Sequence, residues 1–148
     1  TGDHAGLILF STLKKFGFSK GMYKENGYDD LELDNCSITN AVRCVPPQNL
    51  PNTIEIKNCE IYLKSTIKSH KNLRIIIALG MISHKSIISS FKFKQKDFKF
   101  GHKNKHDLTN NITLIDSYHC SRYNTNTKRL TQEMFDNIFI ETKKILMN

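Results

Sequence analysis

Leu73-Arg74-Ile75-Ile76-Ile77-Ala78-Leu79-Gly80 is the most strand-like stretch of the chain. Its apolar residues run almost without a break, as in a strand buried on both faces of a parallel sheet. Gly80 ends it, and a short helix is expected around Ser83 to Ser90. Upstream, Ile56, Cys59, Leu63 and Ile67 recur at helical spacing between Thr53 and about Ser69, with Lys and Glu on the other side. An amphipathic helix therefore precedes the strand. Downstream, a Lys- and aromatic-rich excursion from Phe91 to Asn110 leads to a further strand, Asn111 to Tyr118. Thr131 caps a last helix, with Gln132 and Glu133 in its first turn and Met134, Ile138 and Ile145 on its inner stripe. Lys143 and Lys144 near its end suit the helix dipole.

The N-terminal third reads less regularly. Leu7, Ile8, Phe10, Leu13 and Phe16 stand at helical spacing and stop at Gly17, with Asp3 as an N-cap. Residues 19 to 34 are polar and hold Gly21, Gly27, Asp29 and Asp30, so a loop is expected. Asn35 to Val42 alternates toward a short strand before Pro46 and Pro47 break any regular element. Strands alternating with helices predict an α/β fold, three-layer α/β/α with a short parallel sheet. At 148 residues one domain is expected, with no internal repeat.

The composition, 39% hydrophobic and 24% charged, is ordinary for a soluble fold. No apolar run reaches the length of a membrane span and no secretory signal opens the chain, so no membrane association is expected. The first residue is Thr1 rather than Met, and a fragment or processed product is expected. The net charge of +8 favours a polyanionic partner, while coding bias toward Lys, Asn and Ile is an alternative source for part of that basicity. Placement says more: Lys85, Lys92, Lys94, Lys96, Lys99, Lys103 and Lys105 crowd one segment against a single Asp97. The four cysteines, Cys36, Cys44, Cys59 and Cys120, lack the close pairs of a zinc site, and reduced thiols in the cytoplasm are expected.

Chemistry in an α/β sheet gathers at the strand ends. The expected first strand ends in Asn40, the last in His119, and Asp3 opens the first helix. An Asp, an Asn and a His so placed are able to line one pocket; structurally they read as a helix cap, a turn former and a loop residue. Behind His119, small hydroxyl and amide residues and two cations form a polar loop suited to phosphates.

Several blocks, in order, resemble the uracil-DNA glycosylase superfamily, in particular its iron–sulfur, thermophile-type branch known as family five. Thr1-Gly2-Asp3 before an apolar helix resembles the end of that family's first motif. Ile38-Thr39-Asn40-Ala41-Val42-Arg43-Cys44-Val45-Pro46-Pro47 resembles its TN-x-VRC-x-PP block, and Ala78-Leu79-Gly80 its third strand and Gly turn. Phe100-Gly101-His102 resembles its FGH block. Ser117-Tyr118-His119-Cys120-Ser121-Arg122-Tyr123-Asn124-Thr125, with Thr127, Arg129, Leu130 and Thr131, resembles the long SYHPSRQNT-x-TGRLT block. Cys120, Tyr123 and Lys128 depart from it, standing where the family has Pro, Gln and Gly.

The resemblance implies a DNA-repair glycosylase that flips uracil, and by extension other deaminated bases, out of DNA and hydrolyses its N-glycosidic bond. Asp3, Asn40 and His119 would be catalytic, and Ser121, Arg122, Asn124 and Thr125 would bind DNA. Cys44 and Cys59 match two of the four ligands of the family's 4Fe-4S cluster, while Cys36 and Cys120 match none. The family's first strand, its GLAPA-like motif and its two other cluster cysteines would lie upstream, leaving a gap between the chain's own strands. A monomer acting on uracil-containing DNA, cytoplasmic and nucleoid-associated, is the expectation. Two other readings keep the basicity without the chemistry: a truncated or degraded relative that binds DNA, and a non-enzymatic basic α/β nucleic-acid-binding module.

Overall fold

A computed structural model describes residues 4–25, 27, 29–42, 52–109 and 111–148. In order, its elements are α1 (His4–Lys15), β1 (Ser19–Lys20), β2 (Glu32–Leu33), α2 (Thr53–Ser69), β3 (Ile75–Leu79) and α3 (Met81–Ser90). A 3-10 turn (Gln95–Asp97), β4 (Lys105–Asp107), β5 (Thr113–Ser117), α4 (Arg122–Asn126) and α5 (Gln132–Met147) follow. Two compact units emerge, Thr39–Ser117 and Thr1–Ile38 with Tyr118–Asn148. Among the described residues, no helix is long and apolar enough to cross a membrane.

The Thr39–Ser117 unit is built on a three-stranded sheet in the order β3-β5-β4. β3 pairs with β5 in parallel, Ile76 opposite Leu114 and Ala78 opposite Asp116. β4 runs antiparallel to β5, with His106 opposite Leu114. The sheet is therefore mixed, where a parallel one is expected from the sequence. Only five residues separate Asp107 from Thr113, and a chain returning over so short a connection pairs antiparallel, because a parallel return needs a long crossover. β5, rather than the more apolar β3, is the central strand of this sheet. Leu114, Ile115, Asp116 and Ser117 are all fully buried, so both faces of β5 are covered.

On one face Ile76, Ala78 and Leu114 meet Leu63 and Ile67 of α2 and Ile87 and Ile88 of α3, with Phe91, Phe93 and Phe98 closing the rim. Burying each large apolar side chain contributes about 1.5–3 kcal/mol. α2 spans the range its periodicity predicts and begins with a capping box: the Asn52 side chain accepts from Glu55 N at 2.8 Å, and the Glu55 carboxylate accepts from Asn52 N at 2.8 Å. Gly80 turns β3 into α3 at φ 97°, a conformation that favours glycine, while its N–H donates to Ser117 O at 2.8 Å.

In the other unit α1 stops where Gly17 predicts. Phe18 N–H donates to Leu13 O at 2.8 Å and Gly17 N–H to Lys14 O at 3.1 Å, a Schellman motif with Gly17 at φ 78°. α5 starts at the predicted Thr131, whose hydroxyl accepts from Met134 N–H at 3.2 Å. Its buried stripe is Phe135, Ile138, Phe139 and Thr142, sharing Ile138 with the expected one. Gln132 bridges α5 to α1 through the Thr12 hydroxyl at 3.0 Å, beside rings of Phe16, Phe18 and Phe139.

Two local expectations fail. Asn35–Val42 forms no strand. Among the described residues no neighbouring strand offers it a ladder, and an isolated strand is not stable in water. Asn35 also sits at φ 54°, outside the strand region. Conversely, the expected loop of residues 19 to 34 contains the β1–β2 pair, Ser19 opposite Leu33 and Lys20 opposite Glu32. The Asp30 carboxylate accepts from Met22 N–H at 2.9 Å, which closes that excursion.

Candidate functional site

Strand alternation carries past the end of β5. Cys120 is buried and its thiol donates to Ala5 O at 3.6 Å, so the intervening His119 is exposed. Ser121 then caps α4, its hydroxyl accepting from Asn124 N–H at 3.3 Å. The Asn124 side-chain amide donates back to the carbonyl of His119 at 2.8 Å. Thr125 donates its hydroxyl proton to Arg122 O at 3.1 Å and lies 2.9 Å from His4 Nε2. A hydroxyl has one proton, so His4 Nε2 is the donor in that contact. Leu130 is buried and its N–H reaches Asn124 O at 3.0 Å, while Arg129 stacks 4.7 Å over the Tyr118 ring. Lys128 closes the turn at φ 58°, a left-handed conformation.

The polar residues between His119 and Thr131 thus brace one another. Ser121, Asn124 and Thr125 are brought together, and each uses its side chain inside the loop. Arg122 and Tyr123 project outward, both exposed. Asn40 is exposed, on the irregular segment of the Thr39–Ser117 unit rather than at a strand end. Asp3 and Cys44 lie outside the described residues. All seven lysines of the 85–105 segment are exposed.

The model of the uracil DNA glycosylase superfamily matches residues 1–143. The chain belongs to this superfamily. It is 34% identical over 145 residues to the Type-5 uracil-DNA glycosylase of Thermus thermophilus, covering 98% of this chain and 66% of that protein. With the Type-5 enzyme of Pyrobaculum aerophilum it shares 32% over 135 residues, 90% of this chain and 57% of the relative. With the Type-4 uracil-DNA glycosylase of Sulfurisphaera tokodaii it shares 33% over 119 residues, 73% and 51%. The chain therefore spans between half and two thirds of these relatives' lengths.

For this uracil-DNA glycosylase superfamily member, the cysteines test the fit of the 4Fe-4S cluster that the sequence resemblance implies. Four thiolates hold a cubane. Cys36 and Cys120 donate their S–H groups to the carbonyls of Phe18 and Ala5, at 3.3 and 3.6 Å, and burial pushes the Cys36 thiol's pKa up. Cys59 is buried on α2. Among the described residues it is the sole cysteine matching a cluster ligand, so these residues by themselves do not fit a complete 4Fe-4S site.

Sequence reasoning missed His4, whose contact with Thr125 ties α1 to the His119 loop. It also missed a cluster of buried His84, half-buried His106 and buried Asp116. A signal was present: an aspartate inside the apolar run Ile112–Ser117 demands a partner, since a buried lone carboxylate is costly.

Proposed function

We propose that this chain carries the catalytic loop of a DNA-repair glycosylase that excises uracil from DNA, acting as a monomer. One observation supports this most. His4, the chain neighbour of Asp3, hydrogen-bonds Thr125 in the loop that His119 opens. The start of α1 is thereby tied to the loop that follows His119.

The glycosidic bond is inaccessible inside a duplex, so the target nucleotide must be extruded. Cleavage leaves positive charge on the sugar and negative charge on the departing base. His119 would donate a hydrogen bond toward the uracil carbonyl where that charge grows, a contribution of about 3 kcal/mol for a well-placed donor. Asp3 would stabilise the oxocarbenium-like sugar or orient water, as carboxylates do in glycoside hydrolysis. Asn40 would bind the base or the attacking water. Arg122 would meet DNA phosphates, with Ser121, Asn124 and Thr125 shaping and filling the contact behind it. The exposed lysines between 85 and 105 would add non-specific, salt-sensitive affinity. A 4Fe-4S cluster held in part by Cys44 and Cys59 belongs to the same reading, and no step above passes through it.

Incubation with a uracil-containing oligonucleotide followed by hot alkali tests the proposal. Strand scission at the uracil is expected. The His119→Ala variant should lose it, by about a hundredfold or more, while keeping most DNA binding. Binding without scission in the unmodified chain would favour the non-catalytic relative instead.

A further inference from the structure

We propose that His84, His106 and Asp116 form a binding site for a divalent transition-metal ion, with zinc as the best match. The register places Asp116 and His106 on the same sheet face as Ala78 and Leu114, the face that α3 covers. His84 comes from α3. Its Nδ1 lies 2.7 Å from Asp116 Oδ1, and His106 Nε2 lies 3.0 Å from Asp116 Oδ2. One donor atom from each of the three side chains lies within 4.8 Å of the others. His84 and Asp116 are essentially inaccessible, with exposures of 2% and 0%.

The protons decide the chemistry. His84 Nε2 lies 2.8 Å from the carbonyl of Phe98, which can only accept, so Nε2 carries a hydrogen. In the neutral ring Nδ1 then presents a bare lone pair, and it points at a carboxylate oxygen. Two lone pairs 2.7 Å apart repel unless a cation lies between them. A proton is one such cation, and His106 in its Nε2–H form donates to Asp116 Oδ2 at 3.0 Å without one; a metal ion would instead take both ring nitrogens and the carboxylate as ligands. Two imidazoles and a carboxylate together are the donor set of zinc and its neighbours.

The support around the donors fits the same reading. A ligating histidine characteristically donates its other N–H to a backbone carbonyl or carboxylate, as His84 does to Phe98. Gly101 N–H, 3.4 Å from Asp116 Oδ2, steadies the carboxylate. Tetrahedral ligation with bonds of about 2.0 Å needs donors about 3.3 Å apart, so the contacts of 2.7 and 3.0 Å must open by a few tenths of an ångström and any wider pair within the 4.8 Å set must close. A cavity of about 300 Å³ borders His84 on its outer side, lined also by Met81, Phe98, Phe100, Lys85 and Lys99. A bound ion would staple α3 to β4 and β5, and protons displaced from the imidazoles would pass to solvent. Neither thiols nor His119 take part, so this inference and the glycosylase reading stand or fall separately.

The test uses the full chain, stripped with a chelator, then titrated with zinc chloride by calorimetry and with cobalt(II) by absorption. One zinc per chain is expected, with a melting temperature that rises with the logarithm of free zinc. Cobalt should give ligand-field bands of a nitrogen–oxygen site without a thiolate charge-transfer band. His106→Gln keeps an N–H for Asp116 and removes a ligand. Since changes behind the ligands alone cost roughly 10–100-fold in metal affinity, this variant should lose more, with an unchanged far-ultraviolet spectrum of the stripped protein. No saturable uptake, thiolate bands, or wild-type zinc affinity in His106→Gln would each overturn the proposal. Should that variant fail to fold, the cobalt spectrum of the unmodified chain decides: nitrogen–oxygen bands support the site, and thiolate bands or none refute it.

Discussion

The hydrogen bond from the Asn124 amide to the carbonyl of His119 holds the backbone of the residue proposed to act on the base. A neutral hydrogen bond contributes only about 0.5–1.5 kcal/mol to stability. Misplacing a donor costs far more in rate, because transition-state stabilisation depends on its aim. Asn124→Ala should therefore lower single-turnover uracil excision by about tenfold or more and leave the Kd for uracil-containing DNA within about threefold. An equal loss in both would mean that Asn124 binds DNA instead of aiming His119. Cys120, standing where the family has proline, anchors the same turn by burial and by its S–H interaction with Ala5 O.

Among the elements, the β3–α3 connection depends on one residue. Gly80 holds φ 97° while its N–H bonds Ser117 O, so a side chain there meets backbone strain. Gly80→Ala should cost about 1–2 kcal/mol, read as a lower urea midpoint with an unchanged slope. The packing of α2 on α3 has a charge component. Glu60 accepts from Lys64 at 2.7 Å and from the Ser89 hydroxyl at 3.0 Å, and the Lys64 bond, followed by Ser89, holds its carboxyl below the ordinary value of 4.5. A depressed folded-state pKa stabilises above the unfolded value and the stabilisation disappears as pH falls through the folded one. Denaturant titrations should show this loss setting in below about pH 4.5. Glu60→Gln should remove that part of the acid dependence, and an unaltered acid limb would exclude Glu60 as its source. β4 exemplifies what periodicity misses: three residues, Lys105–Asp107, become a strand because β5 offers them an edge.

For the molecule as a whole, the exposed lysines between 85 and 105 predict salt-sensitive DNA affinity. Replacing Lys94, Lys96 and Lys99 with Gln should flatten the slope of log affinity against log salt, by about 0.9 for each phosphate left unneutralised. An unchanged slope would place the DNA elsewhere. Much of the architecture was legible in the residues: Gly17 and Thr131 mark helix ends, Thr53–Ser69 carries its own periodicity, and β3 and β5 stand out as apolar runs. The Ser117–Thr131 block announced its family in the same way. These features depend on neighbours close in the chain, where propensity and capping act. Tertiary structure decided the rest: the antiparallel β4, the failure of Asn35–Val42 to become a strand, the meeting of His4 with Thr125, and the convergence of His84 and His106 on Asp116. Each depends on which distant segment lies alongside, and pairing energy and register are properties of that pairing rather than of either segment alone.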